Sequence, residues 1–114
     1  MKVTDLAAAL GMKIICPGKS DDAEAVCGYT SDLLSDVMAN ADDGCALITI
    51  QAHVNTVAVA SLAGASAIII CGNHPIPGDM EEAARREGIA LLQTEHNQFN
   101  ASHLVHRQLF GTTA

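Results

Sequence analysis

GCALITIQAHVNTVAVASLAGASAIIICGNHP, residues 44–75, is the stretch whose reading decides the fold. It holds two continuous apolar runs, Cys45 to Ile50 and Ala67 to Cys71, with none of the polar alternation of a half-exposed strand. Between them lies a helix-length segment that ends at Gly64. This is the pattern of a βαβ unit. Its helix, residues 54–64, carries Val57, Ala58, Val59, Ala60, Leu62 and Ala63 and has almost no polar face, which predicts a cover on the side away from the sheet. A second copy of the chain is the expected cover, making the protein a homodimer. Polar residues collect where each strand stops: Gln51, His53 and Asn55 after the first, Gly72, Asn73 and His74 after the second. Open parallel sheets bind ligands off those carboxyl ends, so a site is expected there.

Upstream of this unit, Thr4 is placed to cap a short leading helix that Gly11 ends, and residues 12–16 read as a strand broken by Pro17-Gly18. Gly18-Lys19-Ser20 copies the tail of a phosphate-binding loop. That motif needs a glycine five residues earlier, where Lys13 stands, and a helix directly after, where acids follow. Residues 24–30 read as a second strand in which Gly28 marks a bulge or a close backbone approach. Thr30 or Ser31 then caps a helix with Asp32 at its positive end and an apolar stripe of Leu33, Leu34, Val37, Met38 and Ala41. Downstream, residues 78–87 form a polar surface helix with Glu81 and Glu82 placed ahead of Arg85 and Arg86, and Gly88 ends it. Residues 89–92 are the last strand, and Asn97 caps a final helix to about Leu109. The order α-β-β-α-β-α-β-α-β-α predicts a three-layer α/β/α domain with a mainly parallel sheet of about five strands, spanning residues 1–114 as one unit.

A chain of 114 residues can bury roughly two-thirds of its unfolded surface and needs no staple. The four cysteines, at 16, 27, 45 and 71, lie in or beside apolar runs without metal-ligand spacing and read as buried thiols of a reducing compartment. Thirteen acids against six bases give a net charge of −7, and residues 21–43 hold seven acids and no base. Such a surface repels phosphate backbones and anionic lipid. With three aromatic residues, no basic stripe, no signal-peptide pattern and no apolar run near the roughly 18 residues a bilayer span needs, neither nucleic acid nor membrane is an expected partner. A cytoplasmic protein is expected.

Catalysis finds no complete constellation. Cys71 with His74 or His53 is the one nucleophile–base pairing the topology permits, and Asp32 with Asp36 reads as a solvated helix face. His103 and His106 share a face of the last helix with Phe99 and Phe110, and two ligands do not make a zinc site. No metal and no cofactor is expected.

Three blocks, residues 28–35 (GYTSDLLS), 47–55 (LITIQAHVN) and 67–75 (AIIICGNHP), resemble successive blocks of the DRTGG domain in order and spacing, and the resemblance covers nearly the whole chain. It implies a fold similar to the N-terminal domain of HPr kinase/phosphorylase, whose kinase chemistry belongs to a separate P-loop domain. DRTGG domains also sit beside CBS domains in some inorganic pyrophosphatases and within long phosphotransacetylases, which implies a regulatory or assembly module that often pairs as a dimer. Both namesake motifs depart here: Gln51-Ala52-His53 stands where the family has Gly-Asp-Arg, and Cys71-Gly72-Asn73 where it has Thr-Gly-Gly. The expectation is therefore a non-catalytic, dimeric regulatory or binding module holding a small polar or nucleotide-like ligand near Gly28, Gln51, His53, Asn55, Gly72, Asn73 and His74. The alternatives are a scaffold subunit for a larger enzyme, such as an oxidoreductase or kinase, and a small enzyme using Cys71 or His53.

Overall fold

Three successive strand–helix–strand crossovers build the sheet in the computed structural model, which describes residues 1–19 and 23–111. The elements run α1 (Val3–Leu10), β1 (Lys13–Cys16), β2 (Cys27–Thr30), α2 (Leu34–Asn40), β3 (Cys45–Thr49), α3 (Val54–Ala63), β4 (Ala67–Ile70), α4 (Gly78–Glu87), β5 (Ala90–Gln93) and α5 (Gln98–Phe110). This is the expected order. The five strands lie in the order β1-β5-β4-β3-β2, with β2 to β5 parallel and β1 antiparallel to β5.

Strands β3, β4 and most of β5 are buried on both faces, which is why their sequences run apolar without alternation. Alternate side chains feed two cores. Ala46, Ile48, Ile69 and Leu92 pack with Leu6 of α1 and Val105 of α5. Leu47, Ile68, Ile70 and Leu91 pack on the other face with Val37, Val57 and Met80 of α2, α3 and α4. In register across the first face runs a row of small residues, Gly28, Ala46, Ala67 and Ala90, beside a row of larger ones, Thr30, Ile48, Ile69 and Leu92. No helix among the described residues is long and apolar enough to cross a membrane.

Helix ends depart from expectation where tertiary bonds replace local caps. Thr4 is the second residue of α1, not its cap; Lys2 holds the cap position without capping the helix through its side chain, and the Val3 amide is satisfied by the Ala23 carbonyl at 2.9 Å. Neither Thr30 nor Ser31 caps α2, which starts at Leu34; Ser31 Oγ instead accepts the Leu33 amide at 3.1 Å in a turn one step earlier. Of the expected α2 stripe only Val37 is fully buried, with Leu33 and Met38 exposed at 61% and 52%. Gly64, Gly88 and Asn97 stop or cap their helices as expected, and Glu81 pairs with Arg85 at 3.4 Å. Lys19 of the phosphate-loop lookalike is tied by its amide to the Gly88 carbonyl, while Ser20 lies outside the described residues.

The apolar helix α3 acquires most of its cover from within the chain. It lies between α2 and α4 on one face of the sheet, so Thr56, Val57, Val59 and Ala60 are buried. Leu62, exposed at 76%, and Ala58 face outward.

Candidate functional site

The loops after β2, β3 and β4 lead to helices on one face of the sheet, whereas the loop after β5 leads to α5 on the other. Adjacent loops that leave a sheet in opposite directions open a crevice at the strand ends. Here that crevice lies between the β4–α4 and β5–α5 loops. Its floor is stitched by two backbone bonds, Gly72 N–H to the His96 carbonyl at 2.8 Å and Asn73 N–H to the Thr94 carbonyl at 2.9 Å. Gly72 and Asn73 sit in the left-handed region at φ 70° and 56°, which glycine and asparagine tolerate best. The His74 ring folds over Gly72, where a β-carbon would come within 3.2 Å of Cδ2.

Above that floor is an open polar cleft of about 510 Å³ lined by Leu10, Gly11, Lys13, Asn73, Gln93, Thr94, Glu95 and His96. Gln93 Nε2 is committed to the His74 carbonyl at 2.9 Å, and Thr94 Oγ1 accepts the His96 amide at 3.3 Å. The cleft thus offers an ammonium, a carboxylate, an imidazole and a primary amide on a rigid floor.

Of the residues expected at the site, Asn73 lines this cleft and Gly72 and His74 shape the turn beside it. Gln51, His53 and Asn55 are placed one strand away, where the side chains of Gln51 and His53 and the backbone amide of Asn55 help close loops. Gln51 Nε2 donates to the Asp32 carbonyl at 2.9 Å, tying the β2–α2 loop to the β3–α3 loop, and its own carbonyl accepts from Thr56 Oγ1 at 2.8 Å. His53 is the N-cap of α3: Nδ1 accepts the Asn55 amide at 3.1 Å, so that nitrogen carries no proton in the cap. Gly28 is not at the strand ends. It pairs with Ala46 near the start of β3, five residues before Gln51; at roughly 3.3 Å per residue that is about 16 Å along the sheet. Nor does it mark a bulge, since β2 and β3 keep continuous register from Cys27 to Thr30.

Gly28 belongs instead to a second cleft of about 220 Å³ at the opposite edge of the sheet, lined by Cys27, Gly28, Thr30, Ile48, Ser102, Val105, His106 and Phe110. His106 leans on Phe110 with ring centroids 4.9 Å apart. Among the described residues no group of three or more His, Cys, Asp or Glu is arranged to hold a metal ion. Cys71 is fully buried, its thiol directed to the Ile69 carbonyl at 3.8 Å, and burial pushes its pKa up to about 11.

Gln93 ends a parallel strand and Thr94, Glu95 and His96 follow it, just as Gln51 and Asn73 follow theirs, so the rule of strand carboxyl ends reaches them once it is applied to β5 as well. Lys13 carries no such signal, because its place depends on β1 folding back antiparallel beside β5, with Lys13 opposite Gln93.

Fold and cleft together define a layered α/β domain with a polar cleft at the carboxyl edge of its sheet. The chain belongs to the DRTGG domain family, whose model matches residues 5–108. Among solved structures it is similar to the CBS and DRTGG domains of the regulatory region of Clostridium perfringens pyrophosphatase, determined with the activator diadenosine tetraphosphate. The TM-score is 0.75 at 16% identity over 91% of this chain, which spans 45% of that one. No curated protein matches the sequence.

Proposed function

We propose that this domain is a non-catalytic regulatory or binding module that holds a small polar, nucleotide-like ligand in the cleft between the β4–α4 and β5–α5 loops. The observation that carries the reading is the convergence of Lys13, Asn73, Glu95 and His96 above a backbone floor stitched at two points. An anionic ligand group would meet the Lys13 ammonium, and a base or sugar edge would find donors and acceptors in Asn73 and His96. Nucleotides are the first class to try, because the pyrophosphatase region with a similar fold was solved with a dinucleotide activator. The buried thiol of Cys71 and the capping role of His53 weigh against a small enzyme built on either residue.

A thermal-shift panel of mononucleotides, diadenosine tetraphosphate and acyl phosphates tests the reading. A ligand at 100 times its dissociation constant adds about 2.7 kcal/mol of stability, a melting shift on the order of 10 °C for a domain near this size. The shift should vanish in Lys13→Ala and in Asn73→Gly, the latter keeping the left-handed turn while removing the amide. A flat panel, or a shift that survives both changes, would overturn the assignment; a flat panel would favour a scaffold that binds protein instead.

The same reading includes a dimer across the outer surface of α3. Its support is the exposed apolar pair Ala58 and Leu62, with Met38 exposed on neighbouring α2. Light scattering at micromolar concentration should give twice the chain mass of 11.8 kDa, reverting to one chain in Leu62→Glu. A wild-type monomer would sink this part of the reading.

A further inference from the structure

Gly28 has no conformational reason to be glycine. Its φ lies outside the left-handed region, its strand register is regular, and a β-carbon there would meet Val105 Cγ1, the Ala46 carbonyl and Ile48 Cδ1 at 3.7 to 3.8 Å, ordinary contact distances. The next three strands place alanine at the same level. A glycine inside a strand forgoes packing and loses more chain entropy than alanine. What its bare backbone does is keep the cleft against α5 open.

The polar lining of that cleft has a fixed sense. Ser102 Oγ donates its one proton to the Gln98 carbonyl at 2.6 Å, so in the 2.6 Å contact with Thr30 the threonine hydroxyl must be the donor. Thr30 Oγ1 therefore presents lone pairs alone. The other walls are the apolar Ile48 and Val105 and the ring of Phe110, on which the His106 ring leans. A volume of about 220 Å³ is below the roughly 300 Å³ at which drug-sized sites begin, which suits a single ring system.

We propose that the Gly28 cleft is a second binding site, independent of the strand-end cleft, for a small planar ring bearing an N–H donor edge. The ring lies on the bare backbone of Gly28 against Phe110, with its N–H directed to Thr30 Oγ1.

Amide spectra of isotope-labelled protein, titrated with benzamidine and separately with benzoate, test this. Benzamidine should shift the amides of Cys27, Gly28 and Thr30 saturably, whereas benzoate, of like shape but presenting acceptors alone, should not. Gly28→Val, which adds a strand-favouring side chain without a clash at its β-carbon, should weaken benzamidine about tenfold or more. Thr30→Val keeps the shape, removes the acceptor, and should weaken it severalfold. Lys13→Ala should leave the titration unchanged, so this site and the strand-end site stand or fall separately. Equal binding of benzoate, or binding indifferent to Gly28→Val, would overturn the proposal. So would broadening of the same amides with protein concentration alone, which would mean that a second copy fills the cleft.

Discussion

Ile68→Ala is expected to lower the unfolding free energy by about 3–5 kcal/mol, the upper part of the range for deleting a buried branched side chain where the surroundings cannot collapse. Ile68 sits at the middle of the sheet, in register between Leu47 and Leu91, fully buried under α2, α3 and α4. Its neighbours are held by strands on both sides, so the vacated volume stays largely open. Against a total stability of roughly 5–15 kcal/mol for a domain, the loss is a large share, and melting should fall on the order of 15 °C. Urea unfolding is the check, with Leu62→Ala as comparison; Leu62 is 76% exposed, and its truncation should move stability by no more than about 0.5 kcal/mol. A loss below about 1 kcal/mol for Ile68→Ala would mean that β4 is not the centre of the sheet.

The reason Ile68 could be marked from the sequence is the reason most of the fold could. Cys45 to Thr49 and Ala67 to Ile70 are covered on both faces, and that cover leaves no position for a polar residue. Glycine stops at 11, 64 and 88 were legible for a related cause, since a helix that ends in the left-handed conformation selects glycine. Helix starts were less legible. Thr4 and Ser31 have the chemistry of caps, but the backbone donors they would serve are met by Ala23 or displaced by a tight turn, and such tertiary partners have no local signal.

Legibility of the site divides along the same line. Asn73 could be placed at the cleft from the sequence because it follows a strand, whereas Lys13 could not, because its position is set by an antiparallel return at the far edge of the sheet. Gln51 and His53 have the residue types of a ligand shell, yet Gln51 Nε2 donates to the Asp32 carbonyl and His53 Nδ1 accepts the Asn55 amide. Polar character at a strand end marks backbone groups that need partners, and only the hydrogen-bond inventory separates loop closure from spare capacity. The apolar run of α3 illustrates the converse: a helix without a polar face signals that it is covered, but two flanking helices of the same chain satisfy that demand on most of its surface.

Native-state alkylation of Cys71 should be at least on the order of 100-fold slower near neutral pH than alkylation of the unfolded chain. The thiolate is the reactive form, and burial holds both Cys71 and Cys45 up at about 11 against an ordinary 9.0, which cuts the thiolate fraction by that factor before access is counted. The same burial has a consequence for stability. Below pH 9 the folded and unfolded thiols are both protonated, and the stabilising contribution is complete. Between about pH 9 and 11 the unfolded thiols release protons that the folded ones keep, so stability falls as pH rises through that window. Tyr29, raised by the hydrogen bond its hydroxyl donates to Asp36, acts in the same direction at the surface. Urea unfolding at about pH 8 and about pH 10.5 should show the decline, and Cys45→Ala with Cys71→Ala should flatten most of it, whereas Tyr29→Phe should remove only a lesser part. A pH-independent midpoint across the window would mean that the two thiols are hydrated in the folded protein. Fast alkylation of Cys71 near neutral pH would go further: it would place a thiolate at the end of β4, one residue from the Gly72-Asn73 turn, and would revive the reading of this domain as a small enzyme that its buried, protonated thiol argues against.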